Sequence, residues 1–258
     1  MFETGDARIK LSVSNAIATV SLARPEKLNA LDKPMILALE RAALFIDADA
    51  TIKVALITGQ GDRAFCAGGD IDAWSAEPAE GFGLQWVRLG HRAFDALARM
   101  RQPLIAVLNG SAMGGGFELA TCADFRIAEP HIKISLPETG LGIIPGWSGT
   151  QRAVRRFGAQ IIRRMALGGE SFSTDEALSY GLVDQVSAPG ESMNSALALA
   201  QRICTRSAFA TAATKMMINA AEGEDAERAL EALGGIAAAQ SNELKAGLEA
   251  FRAKKQKR

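Results

Sequence analysis

The chain has 258 residues, a length at which folding buries roughly three-quarters of the surface that the unfolded chain exposes. One large domain, or one domain with a C-terminal appendage, is therefore expected. Lysine plus arginine and aspartate plus glutamate number 29 each, which argues against a protein whose main task is to bind nucleic acid or a membrane surface.

The cysteines and the N-terminal residues narrow the class further. Cys66, Cys122 and Cys204 are widely spaced and form no CxxC pair, so neither a disulfide framework nor a zinc ribbon is indicated. The first residues lack the pattern of a signal or transit peptide, and no apolar run approaches the ~20 residues of a membrane span. We therefore expect a cytoplasmic protein with no membrane or nucleic-acid partner.

The predicted elements begin with a β-hairpin, formed by two alternating runs at residues 8–13 and 16–22. A helix over residues 32–45 follows, with Asp32 as its N-cap. Next come a buried strand at residues 54–58, a helix at about 87–100 and a second buried strand at 104–108. Strands separated by helices predict crossover connections and a mostly parallel sheet.

The second half of the chain is expected to be mainly helical. A short strand is predicted at residues 125–128, and a capping box at 173–176 starts a helix that stops at Gly181. From about residue 191 the pattern is alanine-rich and helical, with breaks near residues 206–207 and 222–223. We expect an α/β core over residues 1–195, and a helical region over residues 196–258 that makes subunit contacts.

Two similar glycine-rich turns are candidates for a binding site. Residues 67–70 (Ala-Gly-Gly-Asp) follow the strand that ends at Thr58, and residues 113–116 (Met-Gly-Gly-Gly) follow the strand that ends at Leu108. If these strands are neighbours, both turns emerge at one edge of the sheet, and one N–H from each can meet a single oxygen, as in an oxyanion hole. Pairs of glycine turns are also common in parallel-sheet proteins without such a role.

Two acidic residues accompany the second turn. Glu118 stands in the first turn of an apolar helix at about residues 117–123, and Glu138 follows twenty residues later among apolar and loop-forming residues. With no basic residue near Glu118 in sequence, the pair suggests acid–base chemistry on a carbonyl compound. The alternative for Glu118 alone is a carboxylate that only stabilises a helix N-terminus.

Several common motifs are absent. Neither GxxxxGK[ST] nor GxGxxG occurs, and residues 140–146 miss the second pattern by one residue. Residues 146–149 (Gly-Trp-Ser-Gly) lack the spacing of a nucleophile elbow and follow both histidines, so the chain order of an α/β-hydrolase triad is not met. His91 and His131 are isolated, and we expect them to be structural or surface residues and no metal to be bound.

Six segments in order resemble the enoyl-CoA hydratase/isomerase (crotonase) superfamily. They are residues 24–31 (Arg-Pro-Glu-Lys-Leu-Asn-Ala-Leu), 65–71 (Phe-Cys-Ala-Gly-Gly-Asp-Ile), 109–120, 122–128, 136–146 and 148–152 (Ser-Gly-Thr-Gln-Arg). The resemblance runs from about residue 8 to the C-terminus. It implies a crotonase-type α/β spiral of ββα units followed by a C-terminal helical region, and relatives that form trimers or pairs of trimers.

The resemblance also implies the reaction. A thioester carbonyl would meet the backbone N–H groups of Gly69 and Gly115; many relatives have alanine where Gly69 stands, which should matter little to a backbone donor. Hydratases of the family use two glutamates, which match Glu118 and Glu138, whereas many isomerases keep only one. The expected activity is hydration of 2-trans-enoyl-CoA to 3-hydroxyacyl-CoA, with Glu118 activating water and Glu138 delivering the proton.

The CoA thioester is the substrate, and no separate cofactor is expected. By resemblance, Lys27, Leu28, Ala64, Ala67, Asp70, Ile71 and Trp147 are the candidate CoA and substrate contacts. The acyl chain is expected to meet residues 72–86. Relatives often have a small residue where Trp147 stands, so this tryptophan is either a residue that shortens the acyl pocket or a packing residue of the core.

Two kinds of alternative stay open. The first is another reaction of the same family on a CoA thioester: isomerisation, hydrolysis or a specialised dehydration. The second is a relative that binds RNA or CoA without turnover, against which the balanced charge and the intact glutamate pair argue.

Overall fold

The structure is a computed structural model that describes residues 2–75, 78–242, 244, 246, 249 and 252. The strands are β1 (Ile9–Ser14), β2 (Ile17–Leu22), β3 (Val54–Gly59), β4 (Ala64–Cys66), β5 (Leu104–Leu108), β6 (Ser111–Met113), β7 (Phe125–Ala128), β8 (Lys133–Ser135), β9 (Ser171–Ser173) and β10 (Gln185–Val186). The helices are α1 (Lys33–Ala48), α2 (Ile71–Trp74), α3 (Ala79–Gly81), α4 (Arg88–Arg99), α5 (Gly115–Ala120), α6 (Arg152–Phe157), α7 (Ala159–Ala166), α8 (Thr174–Ser179), α9 (Ser192–Cys204), α10 (Ala208–Ala221) and α11 (Ala226–Ala239). A π-helical turn (Phe82–Val87) precedes α4, and 3-10 turns occur at Pro25–Lys27 and Glu138–Leu141.

The strands form two sheets. The larger sheet has the order β1-β2-β3-β5-β7-β10, in which only the β1–β2 hairpin is antiparallel. The smaller sheet has the order β4-β6-β8-β9, with β4, β6 and β8 parallel. From β3 to β8, successive strands alternate between the two sheets, so each repeat adds one strand to each sheet before the chain crosses over. The predicted spiral of strand pairs and helices is confirmed.

The larger sheet is apolar on both faces because both are covered. Alternate side chains of a strand point to opposite faces. In β3, Ala55 and Ile57 belong to the main core, whereas Val54 and Leu56 belong to a second cluster with Ala196 of helix α9. This coverage explains why β3 and β5 have continuous apolar sequences rather than alternating ones.

Most predicted elements are present, with differences at their ends. The capping box at Ser173 and Glu176 is confirmed, and so is Asp32 as the N-cap of α1, where its carboxylate accepts from Met35 N at 3.1 Å. Helix α5 begins earlier than expected, inside the glycine run, because glycines without side chains can pack there. The three-residue strands of the smaller sheet were not predicted, since three residues carry too little periodicity to identify.

The described chain separates into two compact units, Met1–Ala212 and Ala213–Arg258. The sequence places the boundary at residue 195 instead, and the difference arises because α9 packs on the larger sheet. Within the second unit, Met217, Ile218 and Leu230 are exposed apolar side chains. Residues 76–77 and 253–258, for which acyl contacts and a helical end are expected, lie outside the described residues. In the described part of the chain, no helix is long and apolar enough to cross a membrane.

A buried asparagine fixes the loop that supports the first glycine turn. Asn29 is fully buried with a left-handed φ of 56°, a conformation that asparagine tolerates better than most residues. Its Nδ2 donates to Gln60 O at 3.0 Å and Ala64 O at 2.9 Å, and its Oδ1 accepts from Arg24 N at 3.0 Å. These bonds join the loop after β2 to Gln60, which follows β3, and to the first residue of β4.

We expect Asn29→Ala to lower the free energy of unfolding by about 3 kcal/mol, because three hydrogen bonds are lost and buried backbone groups lose their partners. Asn15→Ala is the matched control, since Asn15 also has a left-handed φ, of 51°, but is exposed in the hairpin turn. Urea unfolding measures both. Equal losses in the two variants would contradict the importance of the buried bonds.

Candidate functional site

The two glycine turns lie in contact, as the neighbouring strands require. They follow the short strands β4 and β6 rather than β3 and β5 directly, and β4 and β6 are parallel neighbours in the smaller sheet. Gly68 has a φ of 96°, and a Cβ atom there would lie only 2.9 Å from Gly115 N. A larger residue at position 68 would separate the turns.

Each turn presents one backbone donor at the contact. Within the described residues, the N–H groups of Gly69 and Gly115 donate to no other group, although the residues beside Gly69 bond with Leu31. Gly115 is the first residue of α5, where an N–H has no acceptor within the helix. Both residues border one cavity. The structure thus brings the two predicted donors to the same site.

Glu118 lies on α5 and is buried beside this cavity. Its Oε1 accepts from Trp147 N at 2.7 Å and from Gly149 N at 2.6 Å. A Cβ atom at Gly149 would lie 2.8 Å from that oxygen, so the close approach depends on glycine. Burial and the charge of Glu138 raise the pKa of Glu118 to about 7, although the backbone bonds act in the opposite direction.

Glu138 enters the same cavity from the 3-10 turn that it begins. It is 7% exposed, and within the described chain its Oε2 accepts no hydrogen bond. A Cβ atom at Gly114 would lie 2.8 Å from Glu138 Oε1, and Gly114 has a φ of 53° and a ψ of −126°, which strains any other residue. Burial raises the pKa of Glu138 to about 6.

A cavity of about 100 Å³ is lined by seven of the site residues predicted from the sequence: Ala67, Gly69, Ile71, Gly115, Glu118, Glu138 and Trp147. Its other walls are mainly apolar and include Trp74, Phe82, Trp86, Leu141 and Ile144. This agrees with the expected approach of an acyl group to residues 72–86. Among the described residues, no group of three His, Cys, Asp or Glu side chains could hold a metal ion, and the expectation of a metal-free reaction stays a prediction.

The remaining candidates do not line the cavity. Lys27 is exposed and its Nζ lies 2.9 Å from Asp72 Oδ2, whose hydrogen bond raises the pKa of the lysine. Asp70 caps α2 through Asp72 N and pairs with Arg24 at 2.7 Å. These contacts give Asp70 a structural role in holding the first turn.

Leu28 and Ala64 support the same turn through the backbone. Leu28 O accepts from Ala67 N at 3.0 Å, and Ala64 lies buried in β4. Contacts of Lys27, Leu28, Ala64 and Asp70 with CoA stay predictions.

A strained serine behind the site was not identified from the sequence. Ser148 has a φ of 86° and is buried, and its Oγ lies 3.2 Å from His91 Nδ1. It stands between Trp147 and Gly149, the two residues whose N–H groups hold Glu118. The Ser148–His91 bond therefore fixes the loop that positions the carboxylate. The only sequence signal was the short Gly-Trp-Ser-Gly run, which resembles but does not match a known motif.

Comparison with known proteins identifies the family. The family model described as enoyl-CoA hydratase/isomerase matches residues 12–258. The chain belongs to the enoyl-CoA hydratase/isomerase family. It is 36% identical over 250 residues to the crotonyl-CoA hydratase of Syntrophomonas wolfei, covering 94% of each chain. It is also 36% identical over 207 residues to the (E)-benzylidenesuccinyl-CoA hydratase of Thauera aromatica, covering 80% of each.

The solved structures confirm the crotonase fold. The enoyl-CoA hydratase of Bacillus anthracis superposes with a TM-score of 0.82 at 30% identity, covering 96% of each chain. This protein therefore belongs to a superfamily of enzymes that act on CoA thioesters. Because relatives with similar identity are named for different acyl groups, family membership alone does not define the acyl group.

We expect the strain at Ser148 to distinguish two substitutions. Ser148→Ala loses the bond to His91 and keeps the unfavourable φ, so it should lower the free energy of unfolding by about 1–2 kcal/mol. Ser148→Gly loses the same bond but adopts a positive φ without strain, so it should stay within about 0.5 kcal/mol of wild type. Urea unfolding measures the difference. A glycine variant less stable than the alanine variant would contradict this account.

Burial of Glu118 should also make stability depend on pH. Its pKa is about 7 in the folded protein and its ordinary value is 4.5, so the folded state holds the proton more tightly and stability falls as pH rises from 4.5 to 7. Relative to Glu118→Gln, wild type should lose roughly 3 kcal/mol between pH 4 and pH 8. Denaturant unfolding at several pH values checks this.

Glu129→Gln is the matched control, with the opposite sign. Burial of Glu129 by itself raises the pKa, but hydrogen bonds from Ser192 and Gly190 outweigh it and hold the pKa below its usual range. Its contribution to stability should therefore be present above pH 4.5 and lost as pH falls. If Glu118→Gln and Glu129→Gln changed the pH dependence of stability in the same direction, the opposite pKa shifts of the two carboxyls would be contradicted.

Proposed function

We propose that the protein hydrates 2-trans-enoyl-CoA thioesters to 3-hydroxyacyl-CoA. The observation that carries the proposal is the presence of two buried carboxyls, Glu118 and Glu138, in one cavity with two unpaired backbone donors, those of Gly69 and Gly115. Hydration of a conjugated thioester needs both features. The donors stabilise negative charge on the carbonyl oxygen, and the carboxyls manage the proton and the water.

The thioester carbonyl would accept from the N–H groups of Gly69 and Gly115. Electron density then moves from the double bond toward the oxygen, so Cβ becomes electrophilic. A water held by the two carboxyls attacks Cβ, one carboxylate takes its proton, and the other carboxyl gives a proton to Cα as the enolate collapses. In all, one water adds across the double bond and the carboxyls exchange their protonation states.

This mechanism needs one ionised and one neutral carboxyl. The pKa values of about 6 for Glu138 and about 7 for Glu118 leave the pair with one proton between them near pH 6.5. We treat the carboxyls as one coupled unit. The sequence resemblance assigns the base to Glu118, whose Oε1 is fixed by two N–H donors, and the variants below test both residues.

The proposal includes CoA binding without a further cofactor. Lys27 lies at the surface next to the first turn, and we assign it to the CoA phosphates by family resemblance. We also propose a trimer or a pair of trimers that acts in the cytoplasm on fatty acyl intermediates. The exposed apolar side chains of the C-terminal helices, including Phe209 on α10 and Leu230 on α11, support a role in subunit contacts.

We expect both Glu118→Gln and Glu138→Gln to reduce hydration roughly 10²–10⁴-fold, because each removes a proton-transfer group. The measurement is loss of the conjugated enoyl-thioester absorbance with crotonyl-CoA. In Glu118→Gln the amide oxygen can still accept the bonds from Trp147 and Gly149, so that variant should fold. Glu129→Gln, which replaces a buried carboxylate outside the cavity, is the control and should retain activity.

Absence of hydration in wild type, with CoA thioesters still bound, would overturn the hydratase proposal. The same cavity would then be tested with substrates for isomerisation and thioester hydrolysis. Salt-dependent retention on RNA without turnover would instead favour a binding protein.

A further inference from the structure

All three tryptophans of the chain converge on one candidate oxyanion residue. The sequence contains only Trp74, Trp86 and Trp147, and each lines the cavity. A Cβ atom at Gly69 would lie 2.9 Å from Trp86 Cζ2, 3.3 Å from Trp147 Cη2 and 3.4 Å from Trp74 Cδ1. The space next to this backbone donor is thus occupied by indole rings.

Trp147 is a fixed wall of the cavity. Its ring lies between two glycines: a Cβ atom at Gly115 would lie 2.6 Å from Trp147 Cε3, and one at Gly90 of α4 would overlap the indole. The ring also packs against Trp86 and Phe94, with centroids 5.4 and 5.2 Å away. In the described chain, Nε1 has no hydrogen-bond partner, so packing alone holds the ring. A ring enclosed in this way cannot rotate aside without displacing two helices.

The Trp147 indole lies next to the groups that would hold the thioester. The backbone N–H of Trp147 holds Glu118, while its indole lies against Gly69 and Gly115. An enoyl group whose carbonyl meets those two glycines, and whose Cβ faces the carboxyls, would therefore lie beside the indole.

The chemistry of the walls limits the acyl group further. Apart from Glu118 and Glu138, none of the described residues that line the cavity carries a charged side chain. A carboxylate on the acyl chain would have no cationic partner and would lie near two acids, at a large desolvation cost. The walls favour a neutral hydrocarbon group.

We propose that the site selects a short, uncharged acyl chain and that the Trp147 indole sets its maximum length. The proposal rests on the proposed function, since it assumes that the acyl group of a CoA thioester occupies the cavity. Crotonyl-CoA, with four acyl carbons, represents the favoured class, and 2-trans-decenoyl-CoA, with ten, represents the excluded one.

The first experiment measures kcat/KM for 2-trans-enoyl-CoA substrates of four, six, eight and ten carbons. In wild type the value should fall roughly 100-fold or more from four to ten carbons, the scale on which pocket contacts discriminate methylenes. Trp147→Ala should raise the ten-to-four ratio at least ~10-fold, because the removed ring leaves room for the chain. Trp147→Leu, with a smaller loss of volume, should give an intermediate ratio.

Phe172→Leu is the matched control. Phe172 is a buried aromatic that contacts Tyr180 and does not line the cavity, so its replacement loosens the core without changing the ratio. Equal kcat/KM values of the wild-type enzyme for the ten-carbon and the four-carbon enoyl-CoA would overturn the proposal. This result does not depend on whether any variant folds. An unchanged ratio in a folded Trp147→Ala protein would also overturn it.

A binding experiment separates failure of this proposal from failure of the proposed function. Saturated butyryl-, octanoyl- and decanoyl-CoA are titrated while intrinsic tryptophan fluorescence is followed, because every tryptophan borders the cavity. Tight butyryl-CoA and weak decanoyl-CoA binding would support the length limit even if no substrate is hydrated. Tighter binding of a trimethylammonium-bearing acyl-CoA than of butyryl-CoA would show instead that the aromatic rings select a cation, and would overturn the claim of a neutral chain.

Discussion

The close contact of two glycine turns is the constraint on which the rest of the site depends. Gly68 and Gly115 approach so closely that a Cβ atom on Gly68 would lie 2.9 Å from the other turn's backbone nitrogen. This approach is possible because β4 and β6 are parallel neighbours, each continuing from a long buried strand of the other sheet. The apolar strands β3 and β5 thus fix the spacing, and the absence of side chains at the turns leaves the backbone donors unpaired at the edge of a cavity.

The same lack of side chains determines the electrostatics of the acids. Gly114 and Gly149 lie directly against Glu138 and Glu118, so the carboxyls pack on backbone and not on cationic side chains. Burial then raises both pKa values toward neutrality, whereas an adjacent lysine or arginine would lower them. Proton transfer near neutral pH needs carboxyls with raised pKa values. The same burial lowers the free energy of unfolding when the carboxyls ionise.

The sequence predicts the parts of the site that depend on backbone and order along the chain. Buried strands and glycine runs identified the two turns, and the position of Glu118 in an apolar helix indicated a carboxyl near the second turn. Ser148 and Gly90 could not be predicted in the same way. The role of Ser148 follows from a positive φ and a contact with His91 on a different helix, and that of Gly90 from an indole packed against it, so both depend on tertiary structure. The pairing of Asp70 with Arg24 could not be predicted either, because it joins residues that are distant in sequence and that no local pattern connects.

Two departures from the family resemblance are explained by a single packing arrangement. The family resemblance implies that many relatives have alanine at the position of Gly69 and a small residue at that of Trp147, and no sequence pattern links the two positions. In the structure, a Cβ atom on Gly69 would lie 3.3 Å from Trp147 Cη2 and 2.9 Å from Trp86 Cζ2, so the missing methyl group and the added ring occupy the same region. Glycine at position 69 keeps its backbone donor while making room for indole rings beside it. The proposed backbone donor and the proposed acyl wall therefore share one packing arrangement, and alanine at position 69 would press a methyl group against Trp86. A side chain at position 69 would therefore need space that the three indole rings now occupy, so the glycine and the aromatic residues beside it form one packing unit.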